Sequence, residues 1–529
     1  MSRDFLARFA LADLPKLLTL QDRNPHSPTY GCFDRNYWQY RLLDFPTGMA
    51  QEFVWPLALA WHLPLPENPY RGQAAIRDWI IAGLAFAQSS AHKDGACDDF
   101  FPYERAAGAT AFSLLACLEA SSLVDYREAG FEAFLNRRGK WLGHHQESGK
   151  LSNHEALIVL CLDLLSERTR DHTFSQLRDA RLKRLLSWQD KEGWFWEYEG
   201  CDLGYQTLTL SLLAWLDQRR PELNLRNVLI RGAKMVTEFV HPDGSFGGEY
   251  FSRNTYNYFP YGLELIGRYF PDALMANDRV IAGRVAGRGA CYSDDHMIGH
   301  HLWNWLLTWK DWVPSRPHPV EQQPQMRNYY PSAGLLMDRQ GDTALYLATN
   351  KGGVFKLFRN KSLVASDTQI SFRMKDGRTA VCHMVDRYQV EITTDKIVIS
   401  GEAGWAKQRL MGIFDNILLR VFMVTIGRFF SDLVRRLLQG ILITGKTRAP
   451  FKFRRELHRQ EGKWRVVDEI ASDAWSAVES VGLGGHQTSI FVIQSRTFQP
   501  GQMQSHWQDL TQEITKLKPG ATLKIEREI

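Results

Sequence analysis

The segment Glu192-Gly193-Trp194-Phe195-Trp196-Glu197-Tyr198-Glu199-Gly200-Cys201-Asp202-Leu203-Gly204-Tyr205-Gln206 places a turn, an irregular stretch and polar residues directly before an apolar helix. The same order follows Asp94-Gly95, Ser148-Gly149 and Asp243-Gly244, and the four glycines lie 54, 44 and 51 residues apart. This spacing is about the length of one helical hairpin with its loops. Stacked hairpins place equivalent helix ends on one face, so the polar residues after the turns are predicted to meet at a single mouth.

The first 312 residues read as a series of helices that alternate in character. Residues 157–165 are almost entirely apolar, whereas residues 178–186 carry Arg, Asp and Lys between their leucines. A closed ring of helical hairpins, with buried inner helices and solvated outer ones, has this alternation. We therefore predict a multidomain α + β protein in which residues 1–312 form an (α/α) toroid.

After a Pro-rich linker at residues 313–328 the apolar pattern becomes that of strands. Strands are predicted at 344–349, 353–358, 369–374, 388–394, 396–400, 464–470 and 488–493. Many short strands without helices between them are typical of an antiparallel β-sandwich, which we place at residues 329–529.

A basic amphipathic insert at about residues 410–460 interrupts the strand pattern. Residues 413–444 are apolar but broken by charges, so their uncharged stretches are too short to span a bilayer. Residues 405–465 hold 14 Lys/Arg against 4 Asp/Glu. We expect residues 413–465 to make peripheral contact with a membrane surface or with an anionic polymer. The alternative is a helix packed on the sandwich with its basic face in water.

Composition limits the classes of function. The net charge is +5 and no nucleic-acid-binding motif is present, so a nucleic-acid partner is not expected. The seven scattered cysteines include no Cys-x-x-Cys pair, which argues against a disulfide framework and against a zinc site. We expect no metal and no cofactor. Charges interrupt the apolar N-terminal run, which is untypical of a signal peptide, so a cytoplasmic location is expected, with the insert at the membrane periphery.

Three motifs follow one another in the predicted toroid: Asn153-His154, the segment from Gly193 to Tyr205-Gln206, and Gly247-Gly-Glu-Tyr-Phe-Ser-Arg253-Asn254-Thr255. In this order they resemble the heparinase II/III-like and oligoalginate-lyase-like polysaccharide lyases, which join an α/α toroid to a β-sandwich. The resemblance implies an enzyme that cleaves an acidic, uronate-containing bacterial polysaccharide by β-elimination, with a link to exopolysaccharide or capsule metabolism. It also implies that Tyr205 is the catalytic tyrosine and Asn153-His154 the Asn-His pair of these enzymes.

The residue types suit this reaction, which removes the proton beside the uronate carboxylate and expels the 4-oxygen. Asn153, Arg253 or Gln206 can neutralise the carboxylate by hydrogen bonds. His154 suits the base at neutral pH, with a tyrosine of lowered pKa as the alternative, and Tyr205 can protonate the leaving oxygen. Simpler explanations remain for two of them, Asn153 as a helix cap and Tyr205 as a packing residue.

The other polar residues of the predicted mouth are candidates for substrate binding: Asp99, Glu104, Arg105, Gln206, Glu249, Asn254 and His300. The chain departs from the lyases in having no histidine in the stretch around Asp367, where they carry one on a strand of the β-domain. His383 reads as an ordinary strand residue. The second histidine role would then fall to His296, His300 or His301.

Other functions fit the same toroid. A glycoside hydrolase would use two carboxylates from a set of six: Asp98, Asp99, Glu104, Glu197, Asp202 and Glu249. A non-catalytic glycan-binding or assembly factor is the third hypothesis. Asp98-Asp99 also suggests a Mg²⁺-binding pair of a terpene cyclase, but no second metal motif accompanies it.

Overall fold

The computed structural model describes residues 3–291, 297–318, 325–406, 411–440, 446–460, 462–486, 498–504 and 507–529. The helices are α1 (Asp4–Leu20), α2 (Arg35–Trp38), α3 (Val54–His62), α4 (Ala74–Ser89), α5 (Ala107–Leu123), α6 (Ala129–His144), α7 (Ser152–Thr169), α8 (His172–Leu186), α9 (Leu203–Arg219), α10 (Arg226–Glu238), α11 (Pro260–Ile266), α12 (Pro271–Val285), α13 (Met297–Lys310), α14 (Ile413–Thr425), α15 (Ser431–Gln439) and α16 (Thr511–Ile514).

The strands are β1 (Trp196–Glu197), β2 (Gly200–Cys201), β3 (Gln325–Tyr330), β4 (Leu335–Gln340), β5 (Thr343–Ala348), β6 (Val354–Arg359), β7 (Ser362–Asp367), β8 (Ile370–Met374), β9 (Thr379–Val381), β10 (Gln389–Ile392), β11 (Lys396–Trp405), β12 (Arg448–Gln460), β13 (Lys463–Ala471), β14 (Val478–Leu483), β15 (Gln508–Asp509) and β16 (Thr522–Glu528). The strand predicted at 488–493 lies outside the described residues.

The helices of the N-terminal half form two concentric rings. In the inner ring each helix contacts the next one in the order α3, α5, α7, α9, α11 and α13. The ring is closed because α13 contacts α3. Outside them lie α4, α6, α8, α10 and α12, with α1 packed on α13. The inner helices α5, α7 and α9 are buried almost all round, as their sequences predict. The predicted toroid is therefore confirmed.

Aromatic side chains fill the middle of the inner ring. Trp55 of α3 stacks on Trp303 of α13 with ring centroids 4.6 Å apart, and on Trp215 of α9 at 5.8 Å. Offset stacking of large rings fills wide gaps between helices that aliphatic side chains would leave open. Much of the tryptophan content of this half therefore serves packing.

Each of the four repeated glycine turns precedes a helix of the inner ring. Gly95, Gly149, Gly193 and Gly244 have φ between +83° and +102°, a region that favours glycine. At Gly193 a Cβ would lie 2.4 Å from the carbonyl oxygen of Arg231 on α10. The turn therefore packs directly on an outer helix, and the residues after it are directed to the N-terminal end of the next inner helix.

The C-terminal half contains two antiparallel sheets among the described residues. One is a meander in the order β3-β4-β5-β6-β7. The other has the order β15-β14-β8-β9-β11-β12-β13-β16, with β10 also paired to β11. Short strands paired only to antiparallel neighbours confirm the predicted β-sandwich.

The three inner strands of the meander, β4, β5 and β6, are buried on both faces because their side chains alternate between two cores. In β5, Ala344, Tyr346 and Ala348 belong to the core that includes the toroid. Leu345 and Leu347 point the other way, into the core shared with the larger sheet. Successive side chains of a strand point to opposite faces. The meander is therefore the layer through which the sandwich is fixed to the toroid.

The predicted basic insert divides into two different structures. Its basic C-terminal part forms β12 and the start of β13 in the larger sheet. The apolar part, residues 411–440, forms α14 and α15, which we call the α14–α15 hairpin. This hairpin packs on the toroid, through Met423 and Val434 against Phe101, and its apolar side faces outwards. The alternative of a helix on the sandwich with a basic face in water is therefore wrong. Among the helices of the described ranges, none combines the length and apolar character needed to cross a membrane.

Candidate functional site

One carboxylate ties the start of α9 to the loop before α11. Oδ1 of Asp202 accepts a hydrogen bond from the backbone N–H of Tyr205 at 3.2 Å, and also one from the Thr255 hydroxyl. Oδ2 accepts one from the backbone N–H of Arg253 at 3.0 Å. An aspartate is favoured before a helix because it satisfies a free N–H group. Here the same cap also brings Arg253 beside Tyr205.

Glu197 lies at the centre of the polar side chains. Its Oε1 accepts hydrogen bonds from Asn153 Nδ2 at 3.0 Å and from the Arg253 guanidinium at 2.6 Å. The Ser152 hydroxyl donates to its Oε2 at 3.2 Å. Asn153 therefore points across to β1 and does not cap α7, whose N-terminus has no side-chain cap, so the helix-cap explanation is wrong. From the sequence, Glu197 is predicted only as a carboxylate of a hydrolase, and no motif predicts its position among these hydrogen bonds.

The Arg253 guanidinium lies between two aromatic rings. Its central carbon is 4.0 Å from the ring centroid of Tyr205 and 4.5 Å from that of Tyr198. Burial opposes the charge on Arg253, but its surroundings, Tyr205 and Glu197 foremost, raise its pKa. A cation held over aromatic faces and against a carboxylate stays charged and fixed in orientation. It is suited to receive an anionic group.

Three buried polar atoms at this place have no hydrogen-bond partner within the part of the chain that the structure describes: the Tyr205 hydroxyl, Asn153 Oδ1 and Arg253 Nε. Burial raises the pKa of Tyr205 well above its usual range, and the charge of Arg253 does not offset this. Tyr205 is therefore a neutral hydroxyl that can donate a proton. Buried polar atoms are normally satisfied, and exceptions are concentrated at functional sites.

His154 lies beside this group and is oriented by a carboxylate. Its Nδ1 is 2.7 Å from Oε2 of Glu147, and the other oxygen of Glu147 is paired with Arg435. Burial opposes the charge on Glu147, but Arg435 and His154 outweigh it and lower the pKa of Glu147 to about 2. A permanent carboxylate at Nδ1 favours the tautomer in which Nε2 carries the lone pair. The contact with Glu147 thus fixes the orientation of the His154 ring.

The acidic loop before α5 forms the next part of the mouth. Glu104 accepts a hydrogen bond from the backbone N–H of Phe100 at 2.7 Å, and Asp99 accepts one from the Thr47 hydroxyl at 2.6 Å. Burial raises the pKa of Glu104 to about 7; Arg435 acts in the opposite direction, and Asp99 adds to the rise. These carboxylates are held by local structure and lie within electrostatic range of the His154 side of the site.

The α14–α15 hairpin supplies a cation to this site. Arg435 of α15 pairs with Glu147, and its pKa is raised because Glu147 and Glu104 outweigh the effect of burial. Arg105 pairs with Asp94 at 2.9 Å and donates to the backbone oxygen of Arg428 in the hairpin at 2.9 Å. The contact between the hairpin and the site is not predicted by the sequence. The available signal was an arginine inside a strongly apolar stretch.

Two predicted substrate-binding amides are used by the fold. Gln206 accepts from the backbone N–H of Phe195 at 3.1 Å and donates to the carbonyl oxygen of Gly232 at 2.8 Å. Asn254 accepts a hydrogen bond from the buried amine of Lys351, which comes from the sandwich. Gln206 therefore fixes the turn to α10, and Asn254 joins the Arg253 loop to the β-domain. Neither amide faces the unpartnered atoms of Asn153, Tyr205 and Arg253.

His300 and His301 are buried in the core of the toroid. Nδ1 of His300 contacts the Glu52 carboxylate, and the His300 ring stacks on Phe112 with ring centroids 3.8 Å apart. Burial lowers the pKa of His301 well below its usual range, which keeps that ring neutral. His296 lies outside the described residues. His300 thus packs in the toroid interior, on the Phe112 ring whose other neighbour is His154 at 6.2 Å.

The β-domain offers a buried histidine at another position. His383 Nδ1 is 2.7 Å from the carbonyl oxygen of Thr368, and burial lowers the pKa of His383 to about 4, assisted by the charge of Lys351. Asp367 is paired with the buried Arg455 at 2.8 Å. The stretch around Asp367 therefore holds the sandwich together.

The carboxylates that a hydrolase would need already have structural partners. Asp98 accepts backbone hydrogen bonds from Tyr103 at 2.7 Å and Arg105 at 3.0 Å, and Glu249 pairs with Lys356 at 3.0 Å. The other four bind the groups described above: Asp99, Glu104, Glu197 and Asp202. This arrangement does not favour a pair of carboxylates facing one glycosidic bond.

Comparison with solved structures places the fold. The chain is similar to a Paenibacillus xanthan lyase with a TM-score of 0.51 and 11% identity, over 90% of this chain and 46% of that one. Heparinase III gives a TM-score of 0.49 at 10% identity, over 83% of this chain and 64% of that one. A chondroitin AC lyase of Streptomyces coelicolor A3 gives 0.48 at 10% identity, over 92% and 68%.

The chain spans slightly less than half the length of that xanthan lyase. No protein-family model matches the sequence, and no curated protein sequence matches it. At such low identity the likeness concerns the backbone. The toroid joined to a β-sandwich, which the resemblance of the three motifs implied, is therefore a fold that this chain shares with the xanthan lyase.

Proposed function

We propose that this protein is a polysaccharide lyase that cleaves an acidic, uronate-containing polysaccharide by β-elimination. The observation that carries the proposal is the buried group of Asn153, Tyr205 and Arg253, which brings together unpartnered polar atoms from three of the repeats. A cation, an amide and a neutral hydroxyl are the groups needed to hold a carboxylate and protonate a leaving oxygen. The fold shared with a xanthan lyase supports the same reaction class.

In the proposed mechanism the Arg253 guanidinium and the second N–H of Asn153 Nδ2, whose first N–H is bonded to Glu197, donate to the uronate carboxylate and stabilise the negative charge that develops on it. His154 takes the proton from the carbon beside the carboxylate, the bond between C4 and the leaving oxygen breaks, and a C4–C5 double bond forms. Tyr205 gives its proton to that oxygen. The raised pKa of Tyr205 favours this acid role over the alternative in which tyrosine is the base.

We further propose that Glu197 positions the two carboxylate-binding residues. It accepts from Asn153 and Arg253 through the same oxygen, so it fixes their separation before substrate arrives. Burial raises the pKa of Glu197, although the charge of Arg253 acts in the opposite direction, and the carboxyl is shielded from solvent at 1% exposure. Preorganised donors need no rearrangement during the reaction, which is the source of their catalytic effect.

The test is product analysis with purified protein and a panel of acidic polysaccharides, beginning with xanthan, with a neutral glucan as control. Elimination gives an unsaturated uronate that absorbs in the ultraviolet and adds no water to the products. We expect this absorbance from at least one acidic polymer and none from the neutral one. Products that carry one added water per cleavage, without the absorbance, would identify a hydrolase instead. The natural polymer, which we propose to be a bacterial exopolysaccharide, would be indicated by the best substrate.

A further inference from the structure

The outer side of the α14–α15 hairpin is a continuous apolar surface. Thirteen of the 22 exposed large apolar side chains among the described residues lie between Met411 and Leu437. The most exposed are Phe414 at 86%, Ile413 at 77% and Phe429 at 71%. Soluble proteins seldom expose so many neighbouring apolar side chains, and such patches mark a docking site.

The hairpin is attached to the toroid by its other side. Met423 of α14 and Val434 of α15 pack against Phe101, and Arg435 pairs with Glu147 at the mouth. Arg420 pairs with Asp44 on the same side. Because these inward contacts fix the helices, the exposed side is a defined surface of the folded protein.

The exposed apolar residues form stripes along both helices. On α14 they recur at positions 413, 417, 421 and 424 and at 414, 418 and 422, which is one broad face of a helix. On α15 they recur at Leu433 and Leu437, after Phe429 and Phe430 in the turn. A helix that lies flat in a membrane interface has this form, with its apolar face in the acyl chains.

The charges around this surface select the kind of partner. Arg428 and Arg436 are exposed, and neither makes an ion pair with a residue that the structure describes. Two acidic residues lie in the same segment: Asp415 accepts from the backbone N–H of Gly412 at 3.0 Å, and Asp432 lies 3.6 Å from His145, whose pKa is lowered by burial. Unpaired arginines beside an apolar face complement anionic headgroups above acyl chains.

Nearby loops extend the same surface. Leu42, which is 73% exposed, lies two residues before Asp44, the partner of Arg420. Phe100, which is 60% exposed, adjoins Phe101 under the hairpin. Apolar side chains from three separate segments therefore point outwards around the mouth of the toroid.

We propose that the α14–α15 hairpin docks on an anionic lipid bilayer, with Phe414, Leu418 and Phe429 in the acyl region and Arg428 and Arg436 at the headgroups. The protein would then bind as a monotopic element, with the mouth of the toroid held close to the lipid surface. This inference does not depend on the proposed lyase activity. Of the two partners that the sequence predicts, we propose the lipid surface, and binding to an anionic polymer is an alternative outcome of the test.

The test is co-sedimentation of the full-length protein with anionic and with zwitterionic vesicles at low and high salt. We expect binding to the anionic vesicles, weaker binding at high salt, and a residual salt-resistant part from the apolar side chains. Phe414→Glu combined with Leu418→Glu should lower the partition coefficient by at least on the order of tenfold. Val285→Glu, which removes an exposed apolar side chain on α12, should bind as the wild type does.

A second measurement distinguishes insertion from adsorption. A tryptophan at position 418, introduced as Leu418→Trp, should shift its fluorescence to shorter wavelength on anionic vesicles and be quenched by lipids brominated in the acyl chain. Absence of vesicle binding at low salt would overturn the proposal, as would unchanged binding of the double glutamate variant. Retention on an acidic polysaccharide without vesicle binding would assign the surface to a polymer. A dimer that the double variant abolishes would assign it to a second copy of the chain.

Discussion

Replacing Tyr205 by Phe should separate catalysis from stability. The hydroxyl is buried and has no hydrogen-bond partner among the described residues, so its removal breaks no bond in the folded protein. An unsatisfied buried hydroxyl costs about 1–3 kcal/mol. We therefore expect Tyr205→Phe to be as stable as the wild type or more stable, by up to that amount. The ring remains to pack beneath Arg253 at 4.0 Å.

The catalytic effect should be in the opposite direction. If the hydroxyl protonates the leaving oxygen, its loss should reduce kcat by roughly 10²- to 10⁴-fold, which is typical for one acid–base group. The assay is the ultraviolet absorbance of the unsaturated product on the best polysaccharide. Stability is measured in parallel by thermal unfolding, in which 1 kcal/mol corresponds to a shift in Tm of about 2–4 °C for a large domain.

Tyr258→Phe is the matched control. Its hydroxyl is equally buried but donates to Asn277 Oδ1 at 2.7 Å, in the same toroid. We expect this variant to lose about 1 kcal/mol of stability because a hydrogen bond is removed, and to keep its activity. If Tyr205→Phe retained wild-type turnover, Tyr205 would be a packing residue and the proposed mechanism would be wrong. If it were markedly less stable, its hydroxyl would have a structural partner after all.

Two further variants test the residues that support the site. Asp202→Ala should lower the free energy of unfolding by about 2–4 kcal/mol, because it removes the cap of α9 and the anchor of the Arg253 loop. It should also reduce kcat more than it raises KM, and unchanged kinetics would contradict the anchoring role. Arg435→Gln should lower the free energy of unfolding by about 3–5 kcal/mol, because Glu147 is left buried without its cation. The control Arg436→Gln should leave the free energy of unfolding unchanged. Because Arg435 and His154 lower the pKa of Glu147 from 4.5 to about 2 despite burial, this stabilisation is present above pH 4.5 and is lost as the pH falls towards 2. Thermal unfolding of wild type and Arg435→Gln should therefore differ at neutral pH and converge in strong acid; a difference that does not change with pH would refute this assignment.

The sequence determined most of the architecture because each level of pattern agrees with the next. Positive-φ glycines at 95, 149, 193 and 244 mark the start of each repeat, and apolar helices alternate with charged ones, so a closed double ring is the arrangement that buries every apolar face. The change to a strand period after the proline run predicted the sandwich in the same way. Helix and strand periods are local properties of the chain, which is why they can be read without tertiary contacts.

The sequence also placed Asn153, Tyr205 and Arg253 at one mouth, since equivalent ends of stacked hairpins must share a face. It could not decide which way each polar side chain turns there. Gln206 is the next residue after Tyr205, but one residue is a rotation of about 100° around a helix, so its amide faces α10 instead.

Only the tertiary structure decided which distant segments complete the site. Arg435 reaches Glu147 because the hairpin folds back from the sandwich onto the toroid, and Lys351 reaches the Arg253 loop because the meander packs beneath it. Neither contact has a sequence period or a fixed spacing. Both contacts form only when the helical half and the strand half pack against each other. Each buried charge then pairs with the polar group that this packing brings close to it. The sequence alone thus determined the toroid, the β-sandwich and the common mouth of the repeats. The packing of the two halves against each other decided which charged side chains lie at that mouth.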